Sequence, residues 1–522
     1  MFLMRTSVFF ANYLGRLPLQ LKIGVHYEPS NVDPHLGAAE LALQMTQGCL
    51  DTLVNKTVEG DVLPGLALDW TVSEDQCRYA FTLRDDVVFH DGTPFDGAAV
   101  KASLDRARDP ANASQLAGSL LGSYRETRVL APHRIEIVLD RPYALFLDAL
   151  SQGWLAPMSP RAMQAAGPGF MLPVGTGPFV FDRWDKGDRL VIRRNPAYAW
   201  APGLVDTDGP AHLDEIHFLF LPDEAARTAA LKAGTVDAIF ATAPADCAGL
   251  RADGRFQVIT QPVRGVPVSL MMNIKRGATR DLAVRQALSH GLDVDALVAQ
   301  VFHGEFERAF SPVSQFTLGC AEDLRGLYPY DPARAAALLD AAGWLAGDDG
   351  LRRRDGEVLT LDFLALPVNS YPEFGAIVTE QLGRLGVRVN VVLLSPPDWI
   401  RAGMQGDHGL IPQGKFASSS QLLGFVYHSR HSGPGSYGWS KRGPEDHARI
   451  DALIDAAETC LDPADYVPLF EEVQREVMQA ALAIPLHCNT NLIAARKGLA
   501  GLRFDAIGAY PLFHDTTLAE EA

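Results

Sequence analysis

At 522 residues the chain exceeds what a single hydrophobic core holds, about 250–300 residues, so two or three domains are expected. Its 46 basic against 63 acidic residues leave a formal charge of −17, which argues against nucleic acid or an anionic membrane surface, since both demand a basic face. No run of 18 apolar residues suggests a transmembrane helix, and six scattered cysteines without zinc spacing argue against a structural metal.

The chain opens on MFLMRTSVFFANYLGRLPLQ, whose short apolar run behind Arg5 hints at an export signal. Asn12 and Arg16 break that run, and no small-x-small cleavage site follows. LKIGVHY (21–27) reads as a strand, and a helix is expected from about Gly37 to Asn55, where apolar residues recur at helical spacing. Strand patterns dominate 60–100: RYAFTLR alternates at 78–84, and VVF runs into the turn residues HDGTPF. HRIEIVL (133–139) alternates again, and PFVFDRWDKGDRLVIRR (178–194) reads as a hairpin turning at Lys186-Gly187-Asp188. Helices are expected at 223–233, 280–301, 331–342, 372–385, 446–459 and 463–480, with strands at 235–240, 256–261, 267–273, 359–365 and 387–393. Helices alternating with single strands over 190–520 indicate α/β layers, and the strand-rich 60–180 block indicates a separate β-rich lobe or insertion.

No motif assembles into a catalytic set. His90 and Asp91 are adjacent in an extended stretch, so their side chains point to opposite faces and do not form a base with its orienting carboxylate. The following Gly-Thr-Pro is turn chemistry. VGTGPF (174–179) lacks the third glycine of a dinucleotide loop, and GPGSYGWS (433–440) carries Trp439 where a phosphate loop needs lysine. HSRH (428–431) places His428 and His431 three residues apart, which a helix would bring to one face and a metal would use, although no third ligand lies nearby in sequence. The aromatics Trp154, Phe416, Tyr427, Tyr437 and Trp439 sit among Gly and Ser, and their concentration around 416–439 marks that region as a candidate cleft lining.

Five collinear blocks carry a resemblance: LPGLALDWTVSEDQCRYAFTLRDDVVFHDGTPFDGAAVKASLDR (63–106), PVGTGPFVFDRWDKGDRLVIRRNPAY (173–198), LPDEAARTAALKAGTVDAIF (221–240), RDLAVRQALSHGLDVDALVAQVFHGEFERAFSPV (280–313) and YDPARAAALLDAAGW (330–344). Together they resemble the family 5 extracellular solute-binding proteins that feed peptide, nickel and related ABC importers. The resemblance implies an α/β, two-lobed periplasmic-binding-protein-like fold of the class II type, with an extra β-rich subdomain inserted in the first lobe. The first lobe is then expected from 20–57, 173–265 and 483–522, the insertion from 58–172 and the second lobe from 266–482, with hinge crossings near 265–268 and 481–485.

The resemblance also implies no enzyme activity and no cofactor. A small-molecule or peptide solute would be captured by lobe closure, in the periplasm or otherwise outside the cytoplasm, by a monomer that hands it to the transmembrane subunits of a permease. Solute contacts are expected from Tyr27 and Trp154 on the first-lobe side, and from Phe416, Ser418, Ser419, Tyr427, His428 and Arg430 on the second. The loop KFASSSQLLGFVYHSRHSG (415–433) departs from the peptide-binding pattern, which places there an aspartate for the solute's ammonium. Between Asp407 and Glu445 there is no acid, leaving Glu28 or Asp33 as substitutes and peptide as a solute in question. Three readings follow: a receptor for a peptide-like or other small polar solute, including an anion held by Arg430; a nickel or metal-chelate receptor using His428 and His431; and, remotely, a hydrolase.

Overall fold

The computed structural model describes residues 18–36, 40–112, 114, 116–166, 170–367, 370–433 and 438–519. The N-terminal apolar run before residue 18, and Tyr437, lie outside the described residues.

Two sheets organise two lobes. The first has seven strands in the order Phe256–Pro262, Thr490–Arg496, Ala238–Phe240, Gln20–Val25, Glu215–Phe220, Arg189–Arg194, Phe179–Asp185. Its central strand Gln20–Val25 runs parallel to Glu215–Phe220 and Ala238–Phe240, and Leu21, Ile23 and Val25 alternate into the core. The outer hairpin turns at Gly187, whose φ of 77° suits glycine. Both glycines of VGTGPF serve close backbone packing. A Cβ on Gly175 would lie 2.2 Å from the Cys49 carbonyl oxygen, and one on Gly177 would lie 2.6 Å from that of Gly48.

That packing bears on the helix expected from 37 to 55. The described helix covers Glu40–Thr46 and tightens into a 3-10 turn at Gln47–Cys49. There Gly177 N donates to the Cys49 carbonyl, and the chain leaves extended into the short strand Val54–Lys56.

The inserted subdomain carries a four-stranded antiparallel sheet, ordered Ala67–Val72, Arg78–Leu83, Arg134–Leu139, Tyr124–Ala131. Tyr79, Phe81 and Leu83 point inward from the second of these. Among their neighbours is the helix Gly97–Arg108, which Asp96 caps by accepting from Ala99 N. This core is continuous with that of the first lobe: one cluster joins Ile23 and Phe218 to Tyr79, Phe81, Phe146 and Trp154.

The second lobe is built on a five-stranded sheet ordered Arg388–Leu393, Thr360–Ala365, Leu410–Phe416, Gly265–Met272, Ala483–His487. Gly265–Met272 is buried throughout. Leu270 and Met272 face a core containing Leu288, Phe363 and Phe374, while Val266 and Met271 face another containing Tyr427, Trp439 and Phe470. The expected helix over 280–301 is two helices, Leu282–Gly291 and Val294–Phe302, because Asp293 caps the second by accepting from Ala296 N.

The chain crosses between the sheets at Val263–Arg264 and returns at Cys488–Asn489. The return falls later than the expected 481–485. Ala483–His487 pairs with Gly265–Met272 in the second sheet, and Thr490 is the first residue paired in the first sheet.

Candidate functional site

A cleft of about 490 Å³ lies beside the two crossings and is lined from both lobes. The first-lobe wall is mixed: His26 just beyond the central strand, Gln44, Thr242, Thr490 and Asn491 are neutral and polar, and they stand among apolar residues including Phe240, Leu492 and Phe504, with the Glu224 carboxylate also on this side. Burial, together with the neighbouring Arg227 charge, pulls the His26 imidazole down to about 4, so it is neutral at physiological pH. Arg227 lies behind this wall and donates from both Nη atoms to the carbonyls of Leu221, Pro222 and Ala241, at 2.8, 2.8 and 3.0 Å.

The second-lobe wall is aromatic. The helix Val294–Phe302 ends at His303 and Gly304, both at positive φ, and this turn brings Phe306 back onto Phe302 with ring centroids 4.0 Å apart and nearly parallel planes. The His487 imidazole lies 4.5 Å from Phe302, 5.4 Å from Phe306 and 5.6 Å from Phe374. Burial holds it neutral, with a pKa of about 4. Among the described residues lining the cleft there is no Lys or Arg, and the two carboxylates, Glu224 and Glu373, are exposed.

Of the residues expected from sequence, Phe416 lines the cleft and packs against the first-lobe core although it belongs to the second-lobe sheet. Tyr27 flanks a small space shared with His26 and Gln44, and its hydroxyl accepts from Ser30 N at 3.4 Å. Ser418 belongs to a buried polar node between the lobes. Its hydroxyl donates to Asp148, and Lys56 Nζ donates to Asp148 Oδ1 at 2.6 Å and to Ser418 at 3.1 Å. Ser419 caps the turn Ser420–Leu422 by accepting from Gln421 N.

The remaining expected residues lie outside the cleft lining. Trp154 is 2% exposed and belongs to the first-lobe core. Tyr427 is fully buried in the second-lobe core, its hydroxyl 3.7 Å from Met271 Sδ. His428 and Arg430 pack against the helix Ala448–Ala457 and the residue just after it, and His431 follows them in the turn Ser429–His431, all away from the cleft lining. Asp451, Asp455 and Glu458 recur there at helical spacing and form an acidic stripe. His428 Nε2 lies 3.1 Å from Asp455, and His428 Nδ1 accepts from Arg430 N. Arg430 grips Glu458 with two 2.5 Å bonds and reaches Asp455 at 3.1 Å. His431 packs its ring on Phe425. Arg430 is therefore committed to the protein's own carboxylates. Among the described residues no group of three or more His, Cys, Asp or Glu is arranged to hold a metal ion.

The proposed substitute acids are committed too. Asp33 takes a bidentate pair from Arg106 at 3.0 and 2.7 Å, and Glu28 accepts from Trp184 Nε1 and Gly187 N. His90 and Asp91 serve separate partners. His90 Nε2 bonds the Gly177 carbonyl at 3.0 Å, while Asp91 accepts from Ser159 and Arg161. Sequence reasoning missed Lys56, Asp148 and the aromatic wall. The one local signal was Asp148 standing alone in the apolar run LFLDAL.

The sequence model describing bacterial extracellular solute-binding proteins, family 5 middle region, matches residues 61–437. The glutathione-binding protein GsiB of Escherichia coli K12 is 27% identical over 453 residues, covering 84% of this chain and 82% of its own. NikA from Brucella suis, solved with Fe(III)-EDTA, superposes with a TM-score of 0.86 at 26% identity over 96% of this chain and all of its own. DppA from Helicobacter pylori, solved with the peptide STSA, superposes with a TM-score of 0.81 at 20% identity over 96% and 99%. These proteins share the two-lobed fold described above, and the chain belongs to the family 5 bacterial extracellular solute-binding proteins.

Proposed function

We propose that this protein is the periplasmic receptor of an ABC importer, working as a monomer that closes its lobes around a peptide-like or other small polar solute and passes it unaltered to the permease. The observation that carries the reading is the cleft itself: both lobes supply its walls, and among the described residues two short crossings join their sheets. Such a joint lets the lobes rotate as bodies, and a solute that touches both walls favours the closed form by its differential affinity for it. On this reading Tyr27 and Phe416 contact solute, and the lobes divide as 20–57, 173–263 and 489–522 against 265–488, with 58–172 as the insertion. The test is thermal stabilisation by a panel of short peptides, glutathione, opines, sugars and nickel–histidine. At 100 times its Kd a true ligand adds about 2.7 kcal/mol to stability, and small-angle scattering should show the particle contract. A panel without a single stabilising member would defeat the proposal.

A further inference from the structure

The chemistry of the two walls narrows the class of solute, and this step rests on the receptor reading above. No Lys or Arg lines the cleft among the described residues: Arg251 is paired with Glu305 at 2.5 and 2.7 Å, and Arg227 and Arg264 direct their Nη donors to backbone carbonyls. A solute carboxylate carried into the cleft would therefore lose its hydration without a direct bond from a cationic side chain in the lining, which is costly. An apolar group meets the opposite situation. Phe302 and Phe374 are almost wholly buried, Phe306 is half-buried, and all three line the cavity around the His487 ring. Covering the exposed face of Phe306 removes apolar area from water on both partners, with Phe302 and Phe374 backing it from the core. On the facing wall the Gln44 and Asn491 amides donate to the carbonyls of Ala509 and Gly508, so their amide oxygens are what the wall offers, as acceptors for a neutral donor.

We infer that the buried part of the solute is uncharged, with an aromatic or aliphatic group against Phe306 and amide or hydroxyl groups against the first-lobe wall, while a positively charged end stays at the mouth beside Glu224 and Glu373. The solute class is a small amphipathic amine or a carboxyl-blocked peptide, and a compact sugar acid or polyanion is excluded. Calorimetric titration of the full chain with three probes tests this: Ala-Phe-amide, Ala-Ala-amide, and N-acetyl-Ala-Phe with a free carboxylate. Ala-Phe-amide is expected to bind about ten-fold or more tightly than either of the others. Phe306→Ala should reduce its preference over Ala-Ala-amide to about two-fold without changing the affinity for Ala-Ala-amide. Equal binding of the two amides, tighter binding of the acid, or an unchanged preference in Phe306→Ala overturns the inference. If a sugar or an anion closes the lobes while Ala-Phe-amide does not, the inference falls and the receptor reading stands. If no solute closes them, both fall.

Discussion

Replacing Asp148 by alanine should be among the most damaging single changes available in this chain. The Lys56 and Asp148 side chains are 6% and 8% exposed and meet at 2.6 Å, and Gln152 Nε2 supplies a further bond to the other carboxylate oxygen at 3.1 Å. Burial alone would raise the Asp148 carboxyl, but the Lys56 charge and the hydrogen bonds from Lys56, Ser418 and Gln152 hold it below its ordinary value. The pair is thus ionised, and removing its anion strands a buried ammonium at a cost of about 3–5 kcal/mol. Removing both charges together, as Lys56→Met with Asp148→Leu, should cost about 1 kcal/mol or less, because two desolvation penalties vanish with the attraction. Urea unfolding followed by tryptophan fluorescence gives both values, provided the slope against denaturant is unchanged. The node lies in the core shared by the insertion and the first lobe, so these should unfold together. A loss under about 1 kcal/mol for Asp148→Ala, or a double variant as unstable as the sum of the singles, would refute the argument. Ser418 comes from the other lobe, so Ser418→Ala should leave first-lobe stability within about 1 kcal/mol of wild type while shifting the unliganded protein toward the open form, read as a larger radius of gyration.

Acid should destabilise the fold before its carboxylates titrate. The fully buried imidazoles of His35, His408 and His487 are each held down to about 4, chiefly by burial. The folded state therefore prefers them neutral, so their contribution is whole above about pH 6.5 and is lost as pH falls towards 4, at up to about 4 kcal/mol per pH unit for three protons. Urea midpoints that stay flat between pH 7 and 4.5 would contradict this. Gly265→Ala should cost about 2 kcal/mol or more, because φ there is 120° and a Cβ would lie 2.2 Å from the Lys415 carbonyl oxygen. Since that clash sits where the second-lobe sheet leaves the crossing, solute affinity should fall with stability, and a variant of wild-type melting temperature would show the contact to be relieved at no cost.

The fold was readable because most of its elements are amphipathic in the ordinary way. RYAFTLR alternates because Tyr79, Phe81 and Leu83 face one core, and DEAARTAALK forms a helix between an Asp223 cap and buried Leu231. The expected elements that moved are those whose ends are set by distant partners. Gly175 and Gly177, more than a hundred residues away, lie against the chain at Gly48 and Cys49 where the first helix tightens. Pairing with Gly265–Met272 keeps Ala483–His487 in the second lobe. Neither partner can be read from a local window.

The cleft was less legible, since which way an aromatic or a charge points depends on what it packs against. Trp154 and Tyr427 stand among small residues as a ligand contact would, yet both fill cores. Arg430 reads as an anion site until the stripe of Asp455 and Glu458 is brought beneath it. The same reasoning resolves the missing acid of the ASSS loop. An acid does approach that loop, but it is Asp148, contributed by the insertion, and its counterion is Lys56 of this chain. A solute ammonium seeking Asp148 would have to displace a lysine already bonded at 2.6 Å in a water-poor site, and the displaced lysine would then be the buried charge without a partner. Ser418 keeps the loop joined to that node without adding a third charge. On the proposed reading, discrimination among solutes is thereby left to the cleft that Phe306 and His487 line.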